Sequence, residues 1–149
     1  MACSFCKISR EEVLWETGTS IIAAGSQFRH GHLKVVLKRH AEDLTELPPQ
    51  EYSRFCWDML ECARAVQEVF RPDKLNYALL GNWVDHVHWH IYPRYKSDPD
   101  FGQPMVMHWL KDGKRVAAPP VELEEKPLTA EEKTRLKRAL EATFGTGEQ

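Results

Sequence analysis

No apolar run in this chain of 149 residues approaches the roughly 20 that span a bilayer, so no helical membrane anchor is expected. The first residues, Met1-Ala2-Cys3-Ser4-Phe5-Cys6-Lys7, lack a basic stretch followed by an apolar one. That speaks against a secretory leader and for a cytoplasmic address. A dominant charge is missing as well. Lys and Arg total 20 against 22 Asp and Glu, and the formal net charge of −2 gives no general attraction to a nucleic-acid polymer or an anionic membrane. Four cysteines, Cys3, Cys6, Cys56 and Cys62, are too few for a disulfide framework. In a reducing compartment they are expected to be buried, metal-bound or reactive. What remains, 42% hydrophobic and 28% charged, is a soluble globular composition, at a length that suits one domain with or without an appendage.

Short extended segments fill the first third. Val13 to Glu16 and Ser20 to Ala24 read as strands around Thr17-Gly18-Thr19, and His32 to Leu37 alternates like another. Pro48-Pro49 announces a helix, and Tyr52, Phe55, Met59, Ala63, Val66 and Phe70 recur at helical spacing until Pro72. Cys56 and Cys62 fall in that helix as small core residues. Lys74 to Leu80 and His86 to Tyr92 read as strands joined by Gly81-Asn82-Trp83-Val84-Asp85, with Pro93 as the stop. From Lys96 to Leu128 the chain reads as an extended arm or irregular coil, with apolar bulk at Phe101, Met107 and Trp109 that suits the active-site rim, a partner subunit or packing on its own sheet. Thr129 to Glu132 is a capping box that opens a short helix to about Phe144, ended by Gly145. The fold class is α+β: a small antiparallel sheet with one long helix across it and a short C-terminal helix.

Three of the seven histidines lie in His86-Val87-His88-Trp89-His90-Ile91-Tyr92. On a strand, side chains alternate, so His86, His88, His90 and Tyr92 share one face while Val87, Trp89 and Ile91 point to the core. The ends of such a trio stand about 13 Å apart. Two nitrogens on one zinc ion are only about 3–4 Å apart. A regular strand can therefore offer one ion two neighbouring histidines but not all three. The alternatives are a central histidine that acts as nucleophile or base, a two-histidine metal site, and a polar solvent-facing strand.

His86-Val87-His88-Trp89-His90-Ile91-Tyr92 resembles the H-φ-H-φ-H-φ-φ signature (φ hydrophobic) of the histidine-triad (HIT) family. Cys3-Ser4-Phe5-Cys6-Lys7-Ile8, Gly31-His32-Leu33 with Leu37-Lys38-Arg39-His40, Asn76-Tyr77, Gly81-Asn82 and His90-Ile91-Tyr92-Pro93-Arg94 extend the likeness. These resemble the bacterial branch described as diadenosine tetraphosphate hydrolase-like. The resemblance covers residues 3–103 as a HIT domain and leaves 104–149 as a C-terminal extension of irregular arm and helix. It implies a five-stranded antiparallel sheet, a homodimer, and attack on the α-phosphate of a nucleotide conjugate, either a dinucleoside polyphosphate or a nucleoside phosphoramidate. His88 would be the nucleophile that forms a nucleotidyl-histidine, and His90 would orient it and contact the phosphate. Asn82 would donate to a phosphate oxygen, and His32 would support His90. Arg94, directly after the motif, reads either as a contact to distal phosphates or as a plain surface arginine. A nucleotide-binding or adaptor protein with little turnover is the other function compatible with the motif. Ala24 stands where many members carry an Asp for the ribose hydroxyls, and Trp83 where many carry Ser or Thr, so nucleobase preference is open.

Cys3-x-x-Cys6 is a moderate zinc signal, and with His40 and His86 it becomes the Cys₂His₂ set of a closed structural site. Some family members use this arrangement, with the first triad histidine as ligand. A pair of reduced or oxidised thiols is the other reading. No organic cofactor is expected. Lys34, Lys38 and Arg39 can draw a polyphosphate toward the site or simply solvate a strand, and His30 and His108 read as isolated surface or loop histidines.

Overall fold

The computed structural model describes residues 3–105, 108–112, 114–117 and 123–145. Its centre is a five-stranded antiparallel sheet of order β1-β2-β3-β5-β4, formed by β1 (Val13–Glu16), β2 (Ser20–Ala24), β3 (Leu33–Leu37), β4 (Lys74–Ala78) and β5 (His88–Arg94). Register fixes two faces. Val35 pairs with Ile22 on one side and Trp89 on the other, and this face packs on α1 (Pro49–Phe70). Lys34 pairs with His90 and Val36 with His88, so these belong to the opposite face.

Helix α1 starts with proline at its first position, where no intrahelical N–H is needed, and ends at Arg71 in the left-handed conformation (φ 48°). It buries Phe55, Cys62, Val66 and Val69 against the sheet. Asp58 on the same helix accepts hydrogen bonds from the Thr17 and Ser20 hydroxyls, both at 2.7 Å, and so ties the β1–β2 turn to α1. Helix α2 (Ala130–Phe144) opens with the expected capping box, Thr129 with Glu132. Its Leu136, Ala139, Leu140 and Phe144 join the same core as α1, so the segment after residue 104 completes the core rather than trailing from it.

Several expected boundaries move. The strand expected at 86–92 begins at His88 and continues through Pro93 to Arg94. Pairing with β3 ends at Leu33–Ile91, so on that flank the missing Pro93 N–H interrupts no ladder bond. β4 stops at Ala78 rather than Leu80. The arm expected to be irregular contains a separate antiparallel ribbon, β6 (His108–Lys111) with β7 (Lys114–Ala117). Met107 lies outside the described residues. No helix among them is long and apolar enough to cross a membrane.

Candidate active site

β5 carries His88, His90 and Tyr92 on the face away from α1, and His32, just ahead of β3, stacks on Tyr92 with ring centroids 4.2 Å apart. The three imidazoles form a hydrogen-bonded chain. His88 Nε2 lies 3.0 Å from His90 Nε2, and His90 Nδ1 lies 2.9 Å from His32 Nε2. Each end stops on a backbone carbonyl: His88 Nδ1 on His86 O (2.6 Å) and His32 Nδ1 on Ser26 O (2.9 Å). Carbonyls only accept, so both terminal Nδ1 atoms carry hydrogen and both terminal Nε2 atoms present lone pairs. The carbonyl partner thus assigns the hydrogen of a neutral His88 to Nδ1 and its lone pair to Nε2, which is directed at His90 Nε2. Burial pulls the His88 pKa below the ordinary histidine value against the opposing pull of the His86 carbonyl, and the Lys34 charge adds to the lowering. A neutral imidazole is a nucleophile for an electrophilic phosphorus once its lone pair turns from His90 to that atom.

Next to this chain is a second cluster. Val87 N donates to Ala41 O (2.8 Å) and Leu37 N donates to Val87 O (3.1 Å), which sets His86 beside His40 ahead of the strand proper. His86 is fully buried and its Nε2 donates to Leu37 O at 2.6 Å, leaving Nδ1 as a lone pair. That Nδ1 lies 3.3 Å from Cys3 Sγ, 3.6 Å from Cys6 Sγ and 3.3 Å from His40 Nδ1, and Cys6 Sγ is 3.4 Å from His40 Nδ1. All four donor atoms fall within 4.8 Å of one another. Tetrahedral sites with metal–sulfur bonds of about 2.3 Å and metal–nitrogen bonds of about 2.0 Å place their ligands at such separations. The cluster can therefore hold a metal, and the Leu37 carbonyl is the outer partner that orients a ligating histidine.

The two clusters share a wall. Cys3 precedes and Cys6 lies within a 3-10 turn, Ser4–Lys7, whose Phe5 ring meets the His88 ring edge-on with centroids 4.7 Å apart. Lys34 Nζ lies 4.7 Å from the Phe5 centroid. Phe5 carried no signal of its own in the sequence, although its place between two metal-type cysteines fixes where it must go. Gly25 was missed too: a Cβ there would lie 2.1 Å from His32 Cε1 and Nδ1, so the His32 ring occupies the space a side chain would take.

The remaining expected residues lie elsewhere. Arg94 is buried, with Nη1 donating to Asn76 Oδ1 (2.6 Å) and Nη2 to the carbonyls of Asp100 (2.9 Å) and Gln103 (3.0 Å). Those bonds commit it to bracing the turn after β5, which corrects its expected role on distal phosphates. Asn82 is exposed in the loop before His86, and among the described residues no hydrogen bond joins it to the histidines. Lys38 pairs with Glu16 and Arg39 with Glu51. Ala24 sits opposite Leu33 and packs on the core, offering no carboxylate. His30, expected to be isolated, bridges Lys126 O and Glu132 Oε2. His108 lies on β6.

Comparison with known proteins agrees with this geometry. A sequence model of the HIT domain matches residues 12–97. The adenosine 5'-monophosphoramidase hnt1 of Schizosaccharomyces pombe is 33% identical over 117 residues, 68% of this chain and 81% of that protein. The AP-4-A phosphorylase of Mycobacterium tuberculosis is 28% identical over 102 residues, 61% of this chain and 52% of its own. Among solved structures, a Zn-bound histidine triad family protein from Mycobacterium smegmatis aligns over 99% of both chains with a TM-score of 0.70 at 23% identity, a likeness of fold. With its motif on β5, its sheet order and a family match over more than half its length, the chain belongs to the HIT family.

Proposed function

We propose that this protein cleaves an adenosine nucleotide conjugate at its α-phosphate through a nucleotidyl-histidine. His88 Nε2 attacks the α-phosphorus. The nitrogen–phosphorus bond forms as the bond to the leaving group breaks, and His90, within hydrogen-bond reach of His88 Nε2, is the group that supplies a proton to the leaving atom or donates a hydrogen bond to a phosphate oxygen. Water then attacks the same phosphorus and gives a proton to His90, which restores the one spent on the leaving atom; the nitrogen–phosphorus bond breaks, AMP leaves, and His88 returns to its neutral state. Positioning and charge carry this reaction more than covalent machinery does. His32 acts behind His90, Asn82 is the loop donor for a phosphate oxygen, and Lys34 takes over the polyphosphate attraction that the buried Arg94 cannot supply. Similarity to a phosphoramidase and to an AP-4-A phosphorylase supports adenosine conjugates as the substrate class, with diadenosine polyphosphates and adenosine phosphoramidates as the two leaving-group types.

One observation carries this reading: the carbonyl-terminated imidazole chain that leaves His88 Nε2 as a lone pair. AMP release from diadenosine tetraphosphate and adenosine phosphoramidate tests it, with His88→Ala as the control. Near-full turnover in that variant would sink the mechanism, and AMP binding without AMP release would replace it with a binding role.

Cys3, Cys6, His40 and His86 would hold zinc as a closed structural site. When bound, the ion supplies no open coordination position and pins the N-terminal turn to the sheet. The same reading takes 3–103 as the HIT domain and 104–149 as an extension that completes its core, in a cytoplasmic homodimer. The bare edge of β4, with Tyr77 47% exposed, and Trp57, 56% exposed on α1, support a self-pairing surface. Light scattering that returns a monomer mass at micromolar concentration would remove the dimer.

A further inference from the structure

The β2–β3 loop, residues 25–31, builds the seat of His32. One flank of the seat is Gly25, whose missing side chain makes room for the ring, and the other is Tyr92, stacked at 4.2 Å. Ser26 O fixes the tautomer. What holds the loop in this shape is Gln27, 4% exposed, whose amide is spent on the loop's own backbone. Its Nε2 donates to Gly25 O and to His32 O, both at 2.9 Å, and its Oε1 accepts from Gly31 N at 2.8 Å. One side chain thus ties together the residue beneath the His32 ring and the residue that bears it.

Gln27 is in turn gripped from outside the residues matched by the family model. Gln27 N donates to Glu125 Oε1 (3.1 Å), and Lys126 N donates to Gln27 O (3.1 Å). Three residues on, the His30 ring bridges Lys126 O (2.9 Å) and Glu132 Oε2 (2.6 Å). Glu132 Oε1 meanwhile accepts from Thr129 N in the capping box of α2. The helix start and the catalytic loop therefore share one carboxylate.

We infer that the segment 125–132 braces the imidazole chain through the β2–β3 loop, with Gln27 as a positioning residue for His32 and, through it, for His90. This rests on the proposed nucleotidyl transfer for its kinetic consequence but not for its structural one. A staple that served stability alone would need only to hold the loop down. The Gln27 amide instead reinforces the pairing in which Gly25 N donates to His32 O (3.0 Å), beside the slot the ring occupies, by donating to the carbonyls of both residues.

Gln27→Met keeps length and apolar bulk and removes all three side-chain hydrogen bonds. In the full chain, with folding checked by circular dichroism, it should lower kcat about tenfold at a KM within about twofold of wild type, as expected when a remote change misplaces a catalytic group. The His32 imidazole ¹⁵N shifts should move from a single Nδ1–H tautomer toward exchange between tautomers. Glu125 is exposed, so its substitution spares the fold. Glu125→Ala should lower kcat about threefold, while Glu125→Gln, which keeps the acceptor, should restore it. A folded Gln27→Met protein with wild-type kcat and an unchanged His32 tautomer overturns the proposal. Should Gln27→Met fail to fold, equal kcat in Glu125→Ala and Glu125→Gln overturns it. Should the wild-type protein release no AMP, the proposed function fails while the His32 spectra of wild type and Gln27→Met still decide the brace.

Discussion

His86 and His88 are two residues apart, both buried, and each donates one ring nitrogen to a backbone carbonyl at 2.6 Å. They differ in which nitrogen is spent. Leu37 O takes Nε2 of His86 and leaves Nδ1 facing two thiols and a third donor; His86 O takes Nδ1 of His88 and leaves Nε2 facing His90. On the proposed function, one residue is a metal-type ligand and the other the nucleophile, and the carbonyl that each meets makes the difference. The residue type was the same. A run of alternating histidines is then not one site but two.

Four changes break or sharpen that contrast. The largest effect is expected from His88→Ala, which should cut AMP release by at least about 10⁴-fold, the scale of removing a nucleophile, while bound zinc stays stoichiometric by atomic absorption. Cys3→Ser should do the reverse. It should abolish stoichiometric zinc and lower the Tm by about 10 °C or more, because the free energy of binding a structural metal is free energy of folding, and activity should be lost with the fold rather than by a change in chemistry. Gly25→Ala should fold and keep its zinc, yet lower kcat about a hundredfold by pushing His32 out from behind His90.

The smallest effect belongs to a site remote from both clusters. Burial raises the pKa of Asp58 above the ordinary carboxylate value, against the hydroxyls of Ser20 and Thr17 that favour its charged form. A raised folded-state pKa means that this group's stabilising contribution is present below its unfolded pKa and is lost as pH rises through the folded one. At pH 7 the buried charge is a cost. Asp58→Asn keeps an oxygen acceptor and should raise the Tm at pH 7 by about 2 °C, with the gain vanishing near pH 3 in a thermal-melt series and kcat unchanged.

Much of this was legible in the chain. Helical spacing from Tyr52 to Phe70 and the Thr129–Glu132 box marked both helices, and strict alternation marked β3 and the histidine strand. These signals are local, and a sheet or helix must obey them. The grouping of Cys3-x-x-Cys6 with His40 and His86 was legible through the resemblance to family members, since the Cys-x-x-Cys pair alone does not say which of seven histidines would join it. Arg94 was misjudged because nothing local reveals that Asn76, Asp100 and Gln103 converge on its guanidinium. Gln27 and Glu125 gave no signal at all. They stand 98 residues apart, and only tertiary packing brings the C-terminal segment to the loop behind His32. Pro93 misled in a different way: it ends strands that have neighbours on both flanks, and here one flank was open.

The central claim is that the lone pair on His88 Nε2 makes the covalent bond. Rapid acid-free quenching of wild-type protein with α-³²P-labelled diadenosine tetraphosphate, followed by denaturing electrophoresis, tests it directly. The account predicts a base-stable, acid-labile label on the wild-type chain that maps to His88, is absent from His88→Ala, and persists in Gly25→Ala at a slower rate of formation. A label of equal intensity in His88→Ala, or AMP release at the wild-type rate without it, would contradict the claim.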